Sequence, residues 1–67
     1  MKTTAKRVWK SEFQVVDGTW VFCAYHAKAS SALATARKLG RASASHYGYV
    51  LSGAVRAVNE LTGEIVA

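Results

Sequence analysis

VWKSEFQVVDGTWVFCAY, Val8 to Tyr25, is the stretch on which the fold turns. Apolar and polar residues alternate up to Asp17-Gly18 and alternate again after it. An Asp-Gly pair between two such runs is the strongest short-range hairpin signal, because a type I′ turn needs positive φ at both central residues. With those two residues as the whole turn, Val16 faces Thr19, Val15 faces Trp20 and Phe13 faces Phe22. Period-2 alternation then gathers Trp9, Ser11, Phe13 and Val15 with Trp20, Phe22 and Ala24 on one face. The large residues meet across the pair, so this is the expected core face. The opposite face carries Lys10, Glu12 and Gln14 beside Val21, Cys23 and Tyr25.

Downstream, Ser30 or Ser31 is placed to cap a helix by accepting from its free backbone N–H groups. SALATARKLG follows, with strong helix formers, Arg37 and Lys38 toward its C-terminus, and Gly40 suited to the C′ position. Ala32, Leu33, Ala36 and Leu39 make a narrow apolar stripe that lets the helix lie close against the hairpin's aromatic face. The alternative is a helix that continues to Ser45, in which Gly40 is an interior glycine costing about 1 kcal/mol. His46-Tyr47-Gly48 reads as a loop. Tyr49 to Asn59 alternates and is β-branched, with Gly53 marking a bulge. Burying the side of this strand that lacks Arg56, with Val55 and Ala57, costs least. Glu60 to Gly63 then turns the chain into a short terminal strand from Glu64. The expected fold is α+β, ordered ββαββ: one antiparallel sheet with a single helix packed on one face.

Sixty-seven residues make one domain, 1–67, near the size at which a single core barely suffices. Hydrophobic content of 51% with 19% charged residues argues for a globular chain and against disorder. One cysteine forms no internal disulfide, which favours a reducing compartment. The basic start has no apolar run behind it, and no stretch is long enough for a membrane span, so the cytoplasm is the default location. Residues 1–6 read as a mobile basic arm. The net charge of +5 comes from nine Lys and Arg against four acids. From Gly18 to Asn59 no acid occurs, yet Lys28, Arg37, Lys38, Arg41 and Arg56 lie there. Such a field attracts polyanions or acidic protein surfaces.

No catalytic signature emerges. Cys23 and His26 have Cys-x-x-His spacing but lack two further ligands at zinc-finger spacing, and no base-and-orienter pair is offered for a cysteine nucleophile. No glycine-rich loop precedes the helix as a phosphate cradle. The expectation is a protein without enzymatic activity, cofactor or metal. Two surfaces remain. One is the outer hairpin face, where Val21, Cys23 and Tyr25 rimmed by Lys10 suit a protein partner or a second copy of the chain. The other is basic and aromatic: Arg37, Lys38 and Arg41 at the helix end with Tyr47, joined by Lys2, Lys6 and Arg7 of the arm, suit phosphates and a stacked base.

Laid out in this way, FQVVDGTWVF (13–22), SSALATARKLG (30–40) and YGYVLSGAVRAV (47–58) resemble the small single-domain anti-CRISPR proteins of phages, in the class built as one antiparallel sheet with one helix. The resemblance covers most of the chain and is one of architecture, so no residue role carries over. It implies a non-enzymatic inhibitor that binds a CRISPR surveillance complex and blocks its nucleic-acid contacts. Inhibitors that mimic DNA are acidic; a basic chain works instead by covering a surface or through its own affinity for nucleic acid. The partner contacts expected on this reading are Lys10, Val21, Tyr25, Arg37, Lys38 and Arg41. Direct DNA or RNA binding through Lys2, Lys6, Arg7, Arg37, Lys38, Arg41 and Tyr47 is the alternative, and a homodimer stays open.

Overall fold

The computed structural model describes residues 7–67. The basic arm expected over 1–6, with Lys2 and Lys6, lies outside them. The element order is β1 (Trp9–Val15), β2 (Trp20–His26), α1 (Ala29–Tyr47), β3 (Leu51–Asn59) and β4 (Ile65–Val66). All strand pairings are antiparallel, in the order β2-β1-β3-β4, so β1 is central and β2 and β4 are the edges. The ββαββ architecture follows the sequence expectation. Among the described residues, no helix is long and apolar enough to cross a membrane.

The hairpin forms, but in a different register. Gln14 pairs with Trp20, Phe13 with Val21 and Glu12 with Phe22. The cause lies in the turn. Asp17 does not take positive φ; Gly18 alone does, at 97°. Gly18 N–H donates to Val15 O at 3.0 Å and Val15 N–H to Thr19 O at 2.9 Å, which closes a three-residue loop, Val16 to Gly18. This is a type I turn followed by a left-handed glycine. Asp17 Oδ1 accepts from Thr19 N–H at 2.9 Å, which braces the loop and holds the carboxyl below its ordinary range. A one-residue slip moves every side chain of a strand to the other face. Val21 therefore lies on the side of Phe13, while Trp20 and Phe22 lie on the side of Gln14 and Glu12.

A second irregularity partly reverses the first. Between Ser11 and Glu12 the pairing jumps from Ala24 to Phe22, so Cys23 is an extra residue on β2. Such a bulge re-aims the residues beyond it, and Tyr25, opposite Lys10, joins Phe22 on one face. Their rings lie 5.1 Å apart. Ser11 holds the bulge in place. Its hydroxyl donates to Ala24 O and accepts from Ala24 N–H, both at 3.0 Å, and it lies 3.4 Å from His26 Nε2. This is why a serine occupies the most buried position of β1. Ser11→Ala is expected to cost about 1–3 kcal/mol by leaving the Ala24 amide unpaired. Urea denaturation checks the loss, and faster hydrogen exchange at Ala24 places it at the bulge.

The helix is longer than SALATARKLG. Lys28 is its N-cap in extended conformation, without a side-chain cap bond, so Ser30 and Ser31 are first-turn residues and not caps. Gly48, at φ 77°, takes the C′ role through N–H to Ala44 O at 3.0 Å, and His46 and Tyr47 are helical. Gly40 is interior and buried against the sheet: a Cβ there would meet Phe13 Cγ at 3.2 Å and Phe13 Cβ at 3.3 Å. Backbone approach thus decides this position, at the expense of helix propensity. Ala32, Ala36 and Gly40 form the buried row, while Leu39 of the expected stripe is exposed.

The core under the helix consists of Phe13, Val15, Ala32, Ala36 and Ala57. β3 begins at Leu51 and not at Tyr49. Its register shifts between the pairs Phe13–Val55 and Val15–Leu51, with Gly53 at φ 94° inside the extra length, as a bulge requires. Val55 and Ala57 pair with Phe13 and Ser11 on the helix side, leaving Arg56 on the other. The last turn closes through Gly63 N–H to Asn59 O at 2.7 Å, with Asn59 Oδ1 accepting from Leu61 and Thr62.

Candidate functional site

One helix covers one face of the sheet. The other face carries Lys10, Glu12 and Gln14 from β1, Trp20, Phe22 and Tyr25 from β2, Arg56 and Val58 from β3, and Ile65 from β4, by the observed pairings. Phe22 is 49% exposed, Tyr25 41% and Ile65 56%. Large apolar side chains gathered on a surface in this way mark an interaction face more often than scattered ones do.

The polar groups on this face are matched to each other. Arg56 Nε donates to Glu12 Oε1 at 2.6 Å, and the same guanidinium lies 4.0 Å from the centre of the Trp20 ring. The carboxylate is buried and the guanidinium half-buried, so the pair is shielded from salt. Cation–π attraction of about 0.5–2 kcal/mol adds to it and fixes the Trp20 ring. Tyr25 donates its hydroxyl to Glu60 Oε2 at 2.8 Å, and this bond pushes the phenol above its ordinary pKa. Ser52 Oγ donates to Gln14 Oε1 at 2.9 Å. Lys10 and Arg56 are thus offset by Glu12 and Glu60, and the face combines exposed aromatic area with balanced charge.

Of the residues expected to bind a partner, Lys10 and Tyr25 lie opposite each other on this face. Val21 does not; the slipped register turns it under, where it lines a depression with Val15, Gly48, Tyr49 and Val50. Arg37, Lys38 and Arg41 are exposed on α1, near its middle and not at its end, because the helix runs on to Tyr47. They therefore sit on the side of the domain away from Lys10 and Tyr25, and the six expected contacts do not form one surface. Arg7 is exposed and Tyr47 is the last helical residue. The face contains four residues that pattern reading missed: Trp20, Phe22, Arg56 and Ile65. A three-residue reading of Val16-Asp17-Gly18 would have found the first two, since that loop shifts the whole of β2 by one position.

No family model matches the chain, and no curated protein and no solved structure is significantly similar to it. The site is therefore read from its own geometry. Among the described residues no group of three or more His, Cys, Asp or Glu side chains is placed to hold a metal ion. Cys23 is half-buried and burial pushes its thiol pKa up, the direction opposite to that of an activated thiolate.

Proposed function

We propose that this chain is a small binding domain without catalytic activity that acts by occupying a surface on a nucleic-acid-handling assembly, in the manner of the phage anti-CRISPR inhibitors it resembles. The observation that carries the reading is the row Trp20, Phe22 and Tyr25, which the Cys23 bulge aligns on the uncovered face of the sheet. Tyr and Trp anchors with Arg are the residue types that dominate protein–protein interfaces. The charge balance of the face also favours a protein surface over phosphates, which demand a net positive site. Lys10, between Tyr25 and Val58, makes no ion pair among the described residues, and suits a carboxylate at the rim of the partner.

The test is plaquing of phage on bacteria that carry active CRISPR systems of several types and express this chain. Wild-type protein is expected to restore plaques in at least one type. Phe22→Ser with Tyr25→Ser should abolish the rescue while the protein stays folded by circular dichroism. Plaquing that remains restricted in every type would sink the inhibitor reading. Rescue that survives the double substitution would move the interface off the sheet face.

A further inference from the structure

We infer that the other side of the domain is a separate site for single-stranded nucleic acid, built from Arg37 and Arg41 on the cleft between α1 and β3 and from Tyr47, which ends α1 about 9 Å along the helix axis from Arg41. This does not rest on the sheet face, and every residue it uses lies elsewhere.

Three observations converge. The first is charge segregation. The four acids, Glu12, Asp17, Glu60 and Glu64, all fall on the sheet or its turns, and α1 carries none. Lys28, Arg37, Lys38 and Arg41 thus face solvent on or beside the helix with no acid on the same element to offset them. The second is a cleft of about 200 Å³ walled by Ala36, Arg37, Gly40 and Arg41 on the helix side and Leu51, Gly53, Ala54 and Val55 on the strand side, above Phe13. Arg37 and Arg41 are one helical turn apart, about 6 Å along the axis, and stand together on its rim. Gly40 and Gly53 contribute no side chains to the cleft, whose floor is closed by the buried Phe13 ring, and Gly53 and Ala54 are exposed on the strand side across from the two cations.

The third is a ladder of rings leading away from that floor. Phe13 and Tyr49 have centroids 6.0 Å apart, Tyr49 and Tyr47 6.2 Å, and Tyr47 and His46 4.6 Å. Tyr47, two helical turns beyond Gly40 and the last residue of α1, is 72% exposed. Cations beside exposed aromatic rings are the means by which single strands are held without sequence readout: phosphates meet the guanidinium groups and unpaired bases stack on the rings. Duplex DNA offers no free base face, so Tyr47 contributes nothing to binding it. An acidic protein would use the arginines but would not need the ladder.

The experiment is fluorescence anisotropy of labelled dT12, rU12 and a 12-base-pair duplex titrated with the full chain at about 50 and 200 mM salt. Wild-type protein is expected to bind the single strands more tightly than the duplex. Arg37→Gln with Arg41→Gln should weaken single-strand binding about tenfold and flatten the salt slope by about 1.4, the share of two phosphate contacts. Tyr47→Ala should weaken binding between about 5- and 150-fold, the range for one stacked base, and leave the slope unchanged. Arg37→Lys with Arg41→Lys should keep the slope, and Phe22→Ser with Tyr25→Ser should bind as wild type does. Absence of single-strand binding at 50 mM salt overturns the inference. So does preference for the duplex, insensitivity to Tyr47→Ala, or loss of binding in the sheet-face variant.

Discussion

Phe13→Ala is expected to leave most of the chain unfolded at room temperature. Phe13 is 3% exposed, stands on the central strand, and lies beneath Gly40 on one side and beside Tyr49 on another. The other fully packed apolar residues are three alanines and one valine. Phe13 is therefore the one large side chain among the buried apolar residues. Truncating a buried phenylalanine costs about 3–5 kcal/mol through lost transfer energy and the cavity left behind. A domain of this length has a total stability of about 3–10 kcal/mol, so the loss is of the same order as the whole. Urea denaturation followed by tryptophan fluorescence measures it. Phe13→Leu, which keeps most of the volume, should retain a cooperative transition. A loss below about 1 kcal/mol for Phe13→Ala would mean that the core is not organised around this ring.

Gly40→Val has the next largest expected effect, about 2–3 kcal/mol of destabilisation. A Cβ at position 40 already meets Phe13 Cγ at 3.2 Å, and valine adds two methyl groups that must push the helix from the sheet. Gly40→Ala should be close to neutral. Its gain of about 1 kcal/mol in helix propensity opposes the displacement of the Phe13 ring. A double-mutant cycle identifies the cause. Combined with Phe13→Ala, Gly40→Val should cost much less than it does alone, because the vacated ring space accepts the new methyl groups. Additive losses in the cycle would place the strain outside the Phe13–Gly40 contact. The two predictions also bear on the proposed nucleic-acid site, because Phe13 and Gly40 line the cleft together with Arg37 and Arg41.

Tyr25 shows how a placement read from sequence holds for a reason different from the one that suggested it. Plain alternation in an unbulged hairpin puts Tyr25 outside. In the structure, the slipped register turns Val21 inward and Trp20 and Phe22 outward, and the extra residue at Cys23 then returns Tyr25 to the outer face. Val21 and Tyr25 were expected together and are separated, since the bulge lies between them. Arg37, Lys38 and Arg41 were correctly read as an exposed basic cluster, but their assignment to the helix end depended on Gly40 stopping the helix. Local propensity favours that stop. Contact with Phe13, which is distant in sequence, retains the glycine inside the helix instead.

Element order, the sheet-and-helix class and the acid-free basic segment were legible in the residues alone. Each of these depends on local periodicity, turn residues or composition, which short-range physics sets. The tertiary structure decided which face of β2 is covered, where the helix ends, and that the basic cluster and the aromatic face lie on opposite sides of the domain. Those outcomes depend on one backbone dihedral at Asp17, one extra residue at Cys23 and one close approach at Gly40. Each is worth a kcal/mol or so locally, and only the packing of the whole sheet against the helix selects among them.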